Sequence, residues 1–147
     1  MTKQFLIWTG IMGALVVALG AFGAHGLKAS LPSNQLEVYQ TAVSYHFYHT
    51  FGLGLAAVLS LFHSNKFIHW AAWSFIIGIL LFSGSLYLLS TRELIGLTNY
   101  RWLGPITPIG GLLFMIGWIF MAMAGWTLDI RKITISKPEQ VKEKINA

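Results

Sequence analysis

The sequence contains no cysteine, which excludes disulfide bonds, thiolate metal sites and cysteine nucleophiles. It is also poor in charge: Lys and Arg number 10, Asp and Glu 5, and together they fill 10% of the 147 positions, against about 25% in soluble domains. No carboxylate lies inside a long apolar run. Glu37 and Glu93 stand at the edges of such runs, and Asp129, Glu139 and Glu143 follow the last one. A relay of buried carboxylates is therefore excluded, and one of His and Tyr alone would be unusual. Nothing resembles a nucleophile elbow, and neither Ser44 nor Ser83 has an orienting acid, so the chain is read as no enzyme.

What fills the sequence instead is apolar: 55% of residues are hydrophobic, and the mean hydropathy is +0.63. This is the composition of an integral membrane protein. The basic balance, with a pI near 9.7, points to an anionic membrane surface and not to nucleic acid, because five of the ten Lys and Arg lie after residue 130.

Four runs are long enough to cross a bilayer. Residues 5–24 carry no charge and, at about 1.5 Å per residue, span the roughly 30 Å of a hydrocarbon core. A secretory signal is the rival reading of this run, but its apolar region is usually only about 7 to 15 residues. On a helical wheel Thr9, Gly10, Gly13, Val17, Gly20, Ala21 and Ala24 share one face, which is expected to meet protein, while Trp8, Ile11, Leu15, Leu19 and Phe22 face lipid. Asn34 and Glu37 have the spacing of a helix-capping pair, so a second helix is expected over 35–62. A turn at His63–Lys66 leads to a third over 67–90, with small and hydroxyl residues on two sides: Ser74, Gly78 and Ser85 on one, Ser83, Tyr87 and Ser90 on the other. Thr107 as N-cap and Pro108 in the first turn start a fourth over 108–128, in which Gly110, Gly117 and Ala124 recur every seven residues.

The expected fold class is thus all-α, an integral membrane four-helix bundle over residues 1–128, followed by a basic cytoplasmic tail over 129–147. Gly13, Gly20, Gly52, Gly78, Gly110 and Gly117 are its expected helix-packing positions. Four crossings put both termini on one side with seven Lys and Arg against three, which makes that side cytoplasmic.

This topology gathers the polar side chains in the outer half. On the second helix Thr41, Tyr45, His49 and Gly52 share a face, with His46 about 60° away. His25, Ser83 and Tyr87 are placed to reach them from the first and third helices. Such a cluster reads first as a dry knot of interhelical hydrogen bonds. A proton or small-solute path lined by histidine is the second reading, and a metal or haem held by His25, His46 and His49 a third. No cofactor is assigned. The function expected is that of a structural or accessory protein binding a membrane partner or lipid, with a small oligomeric transporter or channel as the alternative. A homo-oligomer is expected because both sides of the third helix look ready to pack and four spans enclose no wide path.

Four segments carry a resemblance: GAFGAHGL at 20–27, TAVSYHFYHT at 41–50, FSGSLYLL at 82–89 and ITPIGGLLFMIGW at 106–118. Together they resemble the YgdD/YwdK-like group of small uncharacterised membrane proteins. The resemblance implies a four-span inner-membrane protein of unassigned activity and supplies no catalytic or binding residues.

Overall fold

The structure, a computed structural model, describes residues 2–63 and 65–127. Among them there is no strand: the chain forms α1 (Thr2–Phe22), α2 (Ser33–Phe62), α3 (Lys66–Gly78), α4 (Gly84–Thr91) and α5 (Leu103–Trp126). Two π-helical segments extend these helices. Gly23–Leu27 continues α1, and Ile79–Ser83 joins α3 to α4, so the chain makes four rods. Three are long and apolar enough to cross a membrane: Lys3–Leu27, Lys66–Thr91 and Leu103–Trp126. The fourth, α2, has 30 residues, about 45 Å of helix. It buries Gln35, His46, His49 and Thr50 and is not among the three spans that qualify on apolarity. Large apolar side chains such as Val17, Phe51, Leu80 and Ile119 are exposed on the outside of the rods. The fold is a helical membrane bundle.

Every rod differs in length from the sequence expectation. α2 begins at Ser33 behind Pro32, whose side chain makes no cap bond. Asn34 accepts only from the neighbouring Gln35 N–H (2.9 Å), so the expected Asn34–Glu37 cap is not formed. α5 begins at Leu103, five residues before Pro108, which lies inside the helix. Pro105 fills the first turn, where a missing N–H is harmless, and Pro108 forgoes one backbone bond. Thr107 is therefore no N-cap: its hydroxyl meets Ser85 Oγ at 2.7 Å. The expected basic tail, 129–147, lies outside the described residues.

Neighbouring rods pack in sequence order. α1 leans chiefly on α2, α2 on the α3–α4 rod, and that rod on α5. Phe5 meets His69 and Trp73, and Asn65 donates to Thr127 (2.6 Å). The start of α1, the α2–α3 turn and the end of α5 thus share one end of the bundle. Both sides of the third rod are occupied within the chain. Gly78 backs onto Phe114 of α5, and Tyr87 packs on Tyr39 of α2. Those faces no longer call for a second copy.

The face of α1 is rotated from the expected one. Phe5, Met12 and Val16 are its buried residues, and Gly13 and Gly20 lie against Thr50 and Val43 of α2. Gly10, Val17, Ala21 and Ala24, the other half of the small face, are exposed. Met12 and Val16 reach further than glycine and set the rotation, leaving that half uncovered.

Candidate functional site

The packing unit repeated through this bundle is an aromatic ring seated on a glycine. A Cβ built on Gly23 would meet the Tyr39 ring at 2.5 Å, one on Gly78 the Phe114 ring at 2.6 Å, and one on Gly117 the Phe75 ring at 2.6 Å. Gly52 lies against both Phe75 and Trp118 (3.2 Å each). Gly110 faces main chain: its Cβ would overlap the Phe82 nitrogen and stand 2.8 Å from the Phe82 Cα. In a bilayer, burying apolar surface gains little over lipid, so close fit between helices carries the association. Glycine lets the ring approach the opposing backbone.

The α2 polar residues sit within this frame. The buried stripe of α2 runs through Gln35, Tyr39, Ala42, His46, His49, Leu53, Ala56 and Ser60. Thr41 and Tyr45, expected on the inward face, are exposed at its rim. The Thr41 hydroxyl bonds its own helix at the Glu37 carbonyl (2.9 Å). Tyr45 is 41% exposed, although its ring lies along Phe82 with centroids 4.7 Å apart. His25, expected to join the cluster, is exposed in the π segment after α1. The first rod continues past α1 as a π segment whose inward residues are Gly23 and Leu27, which leaves His25 facing out.

His49 is buried and locked. Its ring stacks on Phe114 with centroids 3.4 Å apart and planes at 8°, and Phe75 and Trp118 close in at 5.8 and 6.3 Å. Its Nδ1 lies 2.8 Å from the Tyr45 carbonyl. A carbonyl only accepts, so Nδ1 carries the proton. His46 faces the other rod, with its Nδ1 3.4 Å from the Tyr87 hydroxyl.

From there a ladder of polar groups runs to the Arg92 end of the bundle. The Tyr87 ring packs on Tyr39 (5.1 Å), and the Tyr39 hydroxyl donates to the Leu19 carbonyl (2.9 Å), one turn before the π segment of the first rod. Beyond Tyr39, Gln35 donates to Glu93 (2.7 Å), which Arg92 also meets (3.3 Å). Gln35, Tyr39 and Glu93 are absent from the sequence-derived candidates. The signal for Gln35 and Tyr39 lies in the alternating four- and three-residue steps that join Gln35 to Tyr39, Ala42, His46 and His49; Glu93, beyond α4, has no such signal.

The structure thus divides the expected cluster. His46 and Tyr87 meet directly, and Ser83 lies one turn before Tyr87 on its rod, fully buried. His49 sits in an aromatic box beside α5, and Thr41, Tyr45 and His25 lie outside. Among the described residues no three His, Asp or Glu side chains converge on a metal position.

Three openings lie elsewhere, between α1 and α2. One, of about 600 Å³, is lined by apolar and small residues including Thr9, Gly13, Val17 and Gly54. A second of about 610 Å³ shares Val16, Val17 and Phe47 with it, and a third of about 320 Å³ shares Gly20, Ala24, Val43 and Ser44 with the second. They form one continuous groove along the uncovered half of the α1 small face.

Residues 19–111 match the family model described as protein of unknown function DUF423. The chain is 45% identical over 123 residues to the UPF0382 membrane protein YwdK of Bacillus subtilis, covering 83% of this chain and 95% of that one. It is 42% identical over 122 residues to the UPF0382 membrane protein SH2409 of Staphylococcus haemolyticus (83% and 94% covered). A UPF0382 membrane protein of Haemophilus influenzae is 44% identical over 123 residues (83% and 93%). No solved structure matches.

Proposed function

We propose that this chain, which belongs to the DUF423 family of proteins of unknown function, is a four-span accessory protein of the inner membrane that receives a partner helix in the groove between α1 and α2. The occupant we assign first is α1 of a second copy, which makes the protein a homo-oligomer. The observation that carries this reading is the groove itself: it runs along α1, whose small-residue face is half uncovered. Small residues there let another backbone come close, which is how membrane helices associate. Both termini are assigned to the cytoplasm on the excess of Lys and Arg at that end. No catalytic step and no cofactor enter this reading.

The alternative, a small oligomeric transporter, draws on the polar ladder from Glu93 to His46. Against it stands the packing of His49, whose ring face is covered by Phe114 at 3.4 Å, together with the outward positions of His25, Thr41 and Tyr45. Mass measurement in native nanodiscs tests the favoured reading. A dimer or larger assembly is expected for the wild type, and Gly20→Leu, which fills the groove beside Val43, is expected to yield monomer with helicity kept. A wild-type monomer in both nanodiscs and mild detergent would sink the homo-oligomer. A bound lipid mass in place of a second copy would make the occupant an acyl chain.

A further inference from the structure

Most helical Ser and Thr hydroxyls in this protein bond back to a carbonyl three or four residues earlier on their own helix. Thr9, Thr41, Ser85, Ser90 and Thr91 all do so, at 2.7 to 2.9 Å. This is the usual way for a hydroxyl to be satisfied inside a membrane helix. Ser83 departs from it: the residue is 0% exposed, and its Oγ has no hydrogen-bond partner among the described residues. Ser83 is the last residue of the π segment Ile79–Ser83. The backbone register there is five residues and not four.

Across the seam, the Ile79–Ser83 segment packs against α2. His46 of α2 is 3% exposed, with its Nδ1 near the Tyr87 hydroxyl one turn beyond Ser83. Its Nε2 is buried and also has no partner among the described residues. Tautomer choice does not remove the difficulty. If Tyr87 donates to Nδ1, the proton is on Nε2, and a buried N–H lacks an acceptor. If Nδ1 donates to Tyr87, a buried lone pair lacks a donor. Thr50 Oγ1 is unpartnered too, but Thr50 lines the α1–α2 groove and belongs to that surface.

We propose that His46 Nε2 and Ser83 Oγ form an internal binding site for one water molecule, held between α2 and the π segment within the apolar span. Water suits both groups because it donates and accepts, so it serves either tautomer of His46, and two buried polar groups that lack protein partners form the setting in which internal water is held. The site is independent of the groove and of what occupies it.

Solid-state NMR of the full chain in lipid bilayers, with ¹⁵N-labelled histidine, tests this by magnetisation transfer from water. The expected result is early transfer to the His46 ring, reduced several-fold in Ser83→Ala, with the shielded His49 ring as the internal reference. No transfer to His46 in the wild type overturns the site. Transfer that persists undiminished in Ser83→Ala overturns the shared role of Ser83. If Ser83→Ala does not yield folded protein, Ser83→Cys, which keeps the volume with a much weaker hydrogen-bonding group, is read in its place by the same two criteria.

Discussion

Gly110→Ala is expected to destabilise the bundle by about 3 kcal/mol, at the upper end of the range for overpacking, because the added methyl meets main chain and not a movable side chain. The carbon would overlap the Phe82 nitrogen and lie 2.8 Å from both its Cα and its Cβ. Neither helix can yield there without moving its backbone, so α5 and the π segment must separate. The separation would also withdraw Phe114 from Gly78 and from His49, spreading the loss through three rods. Glycines with open surroundings supply the control. Gly10 and Gly84 have nothing within 4 Å of an added Cβ, and alanine at either position is expected to leave stability unchanged or raise it by up to about 1 kcal/mol through helix propensity. Unfolding in SDS titrations, followed by circular dichroism, measures all three. Equal stability of Gly110→Ala and Gly84→Ala would show that α5 does not approach the third rod this closely.

His49→Ala is expected to cost about 3 kcal/mol, comparable with emptying an aromatic position in a packed core. Most of that cost is the cavity left beside Phe114, Phe75 and Trp118, since lipid solvates the apolar groups almost as well as protein does. His49→Phe distinguishes packing from chemistry. A phenyl ring keeps the stack on Phe114 and loses only the bond from Nδ1 to the Tyr45 carbonyl, worth about 1 kcal/mol. The expected order of stability is therefore wild type, then His49→Phe, then His49→Ala, in the same SDS titration. If the phenylalanine variant were as unstable as the alanine variant, the ring would matter for its nitrogens, and a polar role for His49 would have to be reopened.

The helical membrane bundle and the third rod's two packed sides could be read from the sequence because they depend on residue type and spacing along single helices. Gly110 and Gly117 also fall where α5 meets aromatic rings or main chain, and a seven-residue repeat of small residues carries that information locally. The orientation of α2 was harder to read. A wheel centred on Tyr45, His49 and Gly52 differs by only part of a turn from the observed stripe through Tyr39, His46 and His49, yet it moves Thr41 and Tyr45 inward and omits Gln35. Proline misled in a different way: Pro108 suggested a helix start, whereas Pro105 takes the first turn and Pro108 is tolerated within it. The π segments have no signal in hydrophobic periodicity, and they decide where Ser83 and His25 end up.

The most direct test of the central claim, that the uncovered α1 face and not the histidine cluster is where this protein meets its partner, uses the absence of native cysteine. Single cysteines at Val17 and at Ile119 are compared by oxidative crosslinking in native membranes. The two positions are similarly exposed, at 69% and 58%, so exposure alone does not separate them. The expected result is a covalent dimer through Val17→Cys and none through Ile119→Cys. Crosslinking through Ile119→Cys with none at Val17→Cys, or none at either, would contradict it.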